Sequence, residues 1–147
     1  MEYLMKPIGI IHSPFRDKRQ TPIQPTRSAA TGWAEVFPEF SDGLQDLEGF
    51  SHIILLYIFH QSHEYNLKVK PFLDDQLHGL FTTRYPHRPN PIGKSIVQLL
   101  SRSDNVLNIQ GVDVLEGTPL LDIKPHVPDF DVYTGVKTGW YTHRIKE

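Results

Sequence analysis

Cysteine is absent from these 147 residues. Disulfides, thiolate nucleophiles and cysteine-ligated zinc or iron–sulfur sites are thereby excluded together, and any metal would have to use histidine and carboxylates. No run approaches the roughly 20 apolar residues of a membrane helix; the longest, Ile53–Phe59, is strand-sized. The opening Met1–Lys6 lacks the apolar core of a signal peptide, so a cytoplasmic protein with no membrane segment is expected. Charge of one sign is also scarce: 15 Lys+Arg face 17 Asp+Glu, for a net −2. That balance argues against a generally polycationic nucleic-acid binder but leaves local basic faces open. Neither G-x-G-x-x-G nor G-x-x-x-x-G-K-[ST] occurs, so the usual nucleotide folds gain no support, and G-x-S-x-G is missing as well. Helical periodicity is scarce too, the clearest stretch being Ser41–Gly49 with a candidate cap at each end.

Proline, by contrast, is concentrated in a telling place. Residues 79–95 read G-L-F-T-T-R-Y-P-H-R-P-N-P-I-G-K-S. Leu80–Thr83 has strand character, after which Pro86, Pro89 and Pro91 interleave with His87, Arg88, Asn90 and Lys94. Prolines cannot donate ladder hydrogen bonds and each fixes its own φ, so this segment is expected to be a stiff loop leaving a strand end. Holding polar groups on a rigid frame lowers the entropy cost of ligand capture, which favours a binding loop over a plain connection.

The rest of the chain alternates strand-like runs with turn signals. Pro7–His12 and Gly32–Phe37 read as strands around a long polar loop, Phe15–Ala30; loops of that length are usually functional or disordered. Phe50–Phe59 is apolar on both faces and should be a central strand. Gln61–Lys70 is polar. Ser95–Ser103 and Val106–Leu115 suit a hairpin across Asp104-Asn105, and Leu120–Ile123 follows a tight turn at Glu116–Pro119. Five or six strands with one short helix and long loops predict a mostly β fold, a compact closed or nearly closed barrel, with a sandwich as the alternative. At this length the expectation is one domain over 1–147. Its tail, 129–147, carries Trp140 and Tyr141 and is expected to pack on the body or a partner subunit.

Most isolated groupings have ordinary explanations. His60, His63 and Glu64 form H-x-x-H-E, not the H-E-x-x-H of a helical zinc site, and lie where a strand runs out; no metal is expected. His60 counts instead as a polar group at a strand end, where a barrel's ligand cleft collects residues. Asp113, Glu116 and Asp122 flank the Glu116-Gly117-Thr118-Pro119 turn, which alone reads as a β-turn with Gly117 at positive φ.

Taken together, several segments resemble the TsaA-like family, whose best-known members are the TrmO tRNA methyltransferases. They are Ile8–Phe15, Leu47–His52 with Leu55–Gln61, Thr83-Arg84 with Arg88–Gly93, and Glu116–Pro125, spanning about residues 7–128. The resemblance implies a compact β-barrel, a homodimer, and S-adenosylmethionine as cofactor. It implies transfer of a methyl group to N6 of N6-threonylcarbamoyladenosine beside the tRNA anticodon. Carried over by motif, the cofactor positions are Pro22, Ile23, Gln24, His60, Gln61, Arg84, Lys94 and Glu116-Gly117-Thr118-Pro119. His60 and Arg84 are the expected catalytic groups, and His87, Arg88 and Asn90 would meet the substrate. Three positions depart from the family pattern: Ile23 replaces arginine, Glu116 replaces aspartate, and Lys94 stands where an apolar residue is common. The alternatives are a methyltransferase acting on another substrate and a non-catalytic S-adenosylmethionine-binding module.

Overall fold

The computed structural model describes residues 1–21 and 27–144. Its strands are β1 (Gly9–His12), β2 (Thr31–Val36), β3 (His52–Ile58), β4 (Lys68–Val69), β5 (His78–Gly79), β6 (Ile92–Ser103), β7 (Val106–Gln110) and β8 (Thr118–Pro125). Six close into a barrel in the order β1-β2-β7-β6-β3-β8, and β4 and β5 form a separate ribbon. Every neighbouring pair in the barrel is antiparallel. The expected closed barrel is therefore what the chain forms, and closure removes the exposed edges an open sheet would leave.

Period-two patterning explains the wall. Along β6, Gly93, Ser95, Val97 and Leu99 are buried while Ile92, Lys94, Ile96, Gln98 and Leu100 are exposed. Ile11, Ala34, Val36, Ile53, Leu55, Leu107, Ile109 and Leu120 fill the same interior. Each large aliphatic side chain so buried stabilises the fold by about 1.5–3 kcal/mol. The both-faced apolarity of β3 has a counterpart outside the wall, where Ile54 is buried and Leu56 and Ile58 are half-buried.

Three local expectations change, the first being the strand expected over Val106–Leu115, which ends at Gln110. Leu80–Thr82 is a 3-10 turn, not a strand. Leu80 is buried there, and the Thr82 and Thr83 hydroxyls donate back to the carbonyls of Gly79 and Leu80 at 2.8 and 2.7 Å. Such local bonding competes with ladder formation despite the β-branched residues. The helical stretch near Ser41–Gly49 is two 3-10 segments, Pro38–Leu44 and Leu47–Gly49, separated at Asp46 with φ 71°. The single α-helical turn among the described residues, α1 (Pro128–Asp131), lies in the tail.

Antiparallel pairing places the end of β1, β3 and β7 and the start of β2, β6 and β8 at one rim of the barrel. At the other rim, Phe40, Leu44 and Leu47 of the 3-10 segments pack against the core, and Arg102 donates to the Leu44 carbonyl at 3.2 Å. From the first rim the chain makes its longest excursion, residues 59–91, which carries the β4–β5 ribbon. The tail docks on this excursion. Trp140 stacks on His78 with ring centroids 4.7 Å apart and donates to the Thr82 carbonyl at 3.0 Å. His78 in turn bonds Asp74 at 2.8 Å, which, with backbone donors and Arg144 adding to it against desolvation, holds that carboxyl down at about 2.

Gly93 shows how one position fixes the first rim. It pairs directly with Tyr57, and a Cβ there would sit 2.3 Å from the Tyr57 ring and 2.7 Å from the Phe59 ring. Gly93→Ala must displace both aromatic rings, and overpacking of this kind costs about 1–3 kcal/mol. Denaturant unfolding is expected to show that loss, and an unchanged midpoint would refute the packing argument.

Candidate active site

β7 and β8 are not neighbours in the barrel, so residues 111–117 have to pass over the first rim to join them. Their backbone is tied down on the way: Gly111 N donates to the Ala30 carbonyl at 2.8 Å, Glu116 N to Phe15 at 2.8 Å and Gly117 N to Ile11 at 3.0 Å. Val112 and Val114 point into the core. Gly117 has φ +83°, the left-handed conformation glycine adopts at least cost, and the chain turns there into β8.

The crossing carries Asp113 to Ser95 of β6, whose hydroxyl donates to Asp113 Oδ1 at 2.6 Å. Ser95 Oγ is also 2.7 Å from the Tyr57 hydroxyl. With Ser95 donating to the carboxylate, Tyr57 donates to Ser95, and a chain of three polar groups runs along the inside of the wall just below the rim. Burial pushes the Asp113 carboxyl above its ordinary value against the opposing Ser95 bond. Burial first, then the Asp113 charge, raises the Tyr57 hydroxyl far more, while the Ser95 bond and the Arg84 charge act against that rise. Arg84 is thus close enough to be felt electrostatically by the buried chain.

Beside it lies a second polar cluster. His12 at the end of β1 places Nδ1 3.0 Å from both Glu116 oxygens and Nε2 3.1 Å from Glu35 of β2. The Ser13 amide donates to Glu116 at 3.2 Å, and the imidazole stacks on Trp33 at 4.8 Å. Desolvation pulls the His12 pKa down, but bonds and charges from Glu116 and Glu35 outweigh it and the net value is raised. Glu116 is therefore held between the imidazole and a backbone amide.

The expected site residues fall into four groups. His60 and Gln61, directly after β3, stand at the first rim with Glu116, Gly117, Thr118 and Pro119, and Arg84, at the start of the proline-rich loop, is near enough for its charge to act on Tyr57 inside that rim. His60 is half-buried, and Gln61 and Arg84 are exposed. Among the described residues no ion pair engages Arg84 or Lys94. Lys94 lies on the outside of the wall, paired with Leu56, on the opposite face of β6 from Ser95. Within the loop, Arg88 Nη1 donates to the Thr83 and Tyr85 carbonyls at 2.8 and 2.9 Å, and its guanidinium lies 6.0 Å from the Phe81 ring; it folds the loop from within. His87 Nδ1 is 2.9 Å from Ser62 Oγ and bridges two loops, while Asn90 is exposed. Pro22, Ile23 and Gln24 lie outside the described residues. Among the described residues no group of three histidines or carboxylates is placed to hold a metal, and no helix is long and apolar enough to cross a membrane.

Sequence reasoning passed over the Tyr57–Ser95–Asp113 chain and the His12–Glu35 pair. The signal for the first was a serine and a tyrosine on strand faces that otherwise bury aliphatics. His12 gave no signal of its own, because Glu35 and Glu116 lie far from it in the chain.

The chain is similar to known proteins along most of its length. Residues 10–132 match the family described as the tRNA-methyltransferase O N-terminal domain. A probable S-adenosyl-L-methionine-binding protein of Pyrococcus abyssi is 55% identical over 141 residues, covering 95% of this chain and 77% of that protein. A tRNA (adenine(37)-N6)-methyltransferase of Rattus norvegicus is 34% identical over 97% of this chain but only 35% of its own length. The crystal structure of TrmO from Pseudomonas aeruginosa superposes with a TM-score of 0.78 at 37% identity, covering 95% of this chain and 63% of that one.

The His12 cluster makes a pH prediction. The histidine pKa is higher folded than its ordinary 6.5, so its stabilisation is complete below that value and disappears as pH rises through the folded one. The melting temperature of His12→Gln should therefore fall below the wild type's by more at about pH 5.5 than at about pH 8.5. Equal differences at both would show that the ring's charge contributes nothing.

Proposed function

The chain belongs to the tRNA-methyltransferase O family, and from that premise we propose that it is an S-adenosylmethionine-dependent methyltransferase acting on tRNA, with N6 of N6-threonylcarbamoyladenosine beside the anticodon as acceptor. The observation that carries the reading is the convergence of three separate motif segments, around His60, Arg84 and Glu116, at one rim of the barrel. The donor set there suits the cofactor: Arg84, without an ion-pair partner among the described residues, is available to an anionic group, and Glu116 can accept from hydroxyls through lone pairs His12 does not use. Glutamate in place of the family's aspartate keeps that charge.

The cofactor supplies an electrophilic methyl group on a sulfonium. The protein's part is to align the acceptor nitrogen with that methyl and exclude water. The acceptor nitrogen bears a carbonyl and is a weak neutral nucleophile, so removing its proton or polarising that carbonyl raises its reactivity. His60 at the end of β3 is the proton acceptor in this scheme. Arg84 holds an anionic group of the substrate, the threonyl carboxylate or a phosphate. The buried Asp113–Ser95–Tyr57 chain lies beneath the rim, and the Arg84 charge reaches its Tyr57 end. A homodimer and a cytoplasmic location belong to the same reading.

The test is methyl transfer from isotopically labelled S-adenosylmethionine to bulk tRNA from cells lacking the protein, followed by mass analysis of the nucleosides. Label is expected in N6-threonylcarbamoyladenosine; cofactor binding without any transfer to tRNA would overturn the reading. Arg84→Ala should lower kcat/KM at least about tenfold, the loss of one charge-assisted hydrogen bond. His60→Ala should turn over more slowly at saturating cofactor, and turnover at the parent rate would remove His60 from the mechanism.

A further inference from the structure

Beside the rim, the excursion between β3 and β6 encloses an open groove of about 620 Å³. One wall is His63–Lys70 and the other is Tyr85 with His87. The walls are fixed before any ligand arrives: Ser62 Oγ and His87 Nδ1 are 2.9 Å apart, Leu80 N donates to the Leu67 carbonyl at 2.8 Å, and β4 pairs with β5. Preorganisation of this kind lowers the cost of binding.

The lining has a particular chemistry. Tyr65 and Tyr85 are 51% and 41% exposed, so two aromatic surfaces are open to stacking. Lys68 and Lys70 are exposed, and no ion pair among the described residues neutralises them. Glu64 adds an acceptor able to take an exocyclic amine. Aromatic faces beside free cations suit an unpaired nucleotide, with its base on the ring and its phosphate on the ammonium groups. The groove is also in register with the rim. His63 lies three residues after His60, at most about 11 Å of chain, and Tyr85 directly follows Arg84.

We propose that this groove binds a nucleotide of the single-stranded RNA loop adjacent to the one whose base enters the rim. The inference rests on the reading of tRNA as substrate and extends it to a second contact, remote from the methyl transfer. Seating a neighbouring nucleotide there holds the target base out of its stack and orients it, so the groove governs substrate binding more than the chemical step. Tyr65 and Lys70 touch neither the cofactor nor the acceptor nitrogen in this arrangement.

The experiment measures binding of an anticodon stem–loop RNA carrying N6-threonylcarbamoyladenosine across a salt series, together with steady-state methylation of the same RNA, using the whole chain. Tyr65→Ala is expected to raise KM about tenfold with kcat and S-adenosylmethionine affinity unchanged, and Tyr65→Phe to restore the wild-type KM because stacking needs only the ring. Lys68→Ala with Lys70→Ala should reduce the slope of log K against log salt by about 1.4, near 0.7 for each single-strand phosphate contact. Wild-type slope and KM in these variants, with the wild-type chain methylating the RNA, would overturn the groove and leave the proposed function standing. Failure of the wild-type chain to bind or methylate the RNA would overturn the tRNA reading and the groove with it.

Discussion

The crossing of residues 111–117 is the constraint on which the candidate site depends. In the cyclic order β1-β2-β7-β6-β3-β8, the last two strands of the barrel have other strands between them on both sides. The connection has to run across an open rim, where its backbone polar groups need partners. It finds them in carbonyls of Ala30, Phe15 and Ile11. Having been anchored for that reason, it delivers Asp113 to one side of the rim and Glu116 to the other. The two carboxylates then acquire opposite surroundings: one accepts from a buried hydroxyl chain, the other from a histidine and a backbone amide.

The Tyr57–Ser95–Asp113 chain is expensive to build in an interior and would not survive half-satisfied. A buried carboxylate left without partners costs more than the hydrogen bonds return, and each group here has at least one. Polar networks of this kind are high-stakes features, rigid when complete. Polar groups at this rim, in place of further aliphatic packing, are what separate it from the other, where Phe40, Leu44 and Leu47 pack against the core.

The excursion between β3 and β6 shows the same economy at a larger scale. It has little apolar core of its own, with Phe72, Leu77 and Phe81 largely exposed, and it is held by a few specific contacts. Trp140 and Arg144 of the tail close on it through Thr82, His78 and Asp74, and Arg88 folds its proline-rich end from inside. Rigid presentation of polar and aromatic groups follows from these contacts, not from regular secondary structure.

The sequence alone determined what period and local chemistry can determine. The strand propensity of Ser95–Ser103, the apolar run of β3 and the turn signals at Asp104-Asn105 and Glu116–Pro119 identify strands because a pleated wall with one buried face permits little else. The absence of cysteine and of nucleotide-fold motifs excluded whole classes of chemistry, and the proline-rich and Gly-Thr-Pro segments marked the loops that reach the rim. The tertiary structure decided the rest. It turned Leu80–Thr82 from a strand into a 3-10 turn because local hydroxyl bonds outcompeted a ladder, and it assigned Arg88 to holding its own loop. It also joined His12 to Glu35 and Glu116, and Tyr57 to Ser95 and Asp113. Those pairs are 23, 104, 38 and 18 residues apart in the chain. No local pattern can announce such contacts, since they exist only once the strands have closed into a barrel and forced the last connection across its rim.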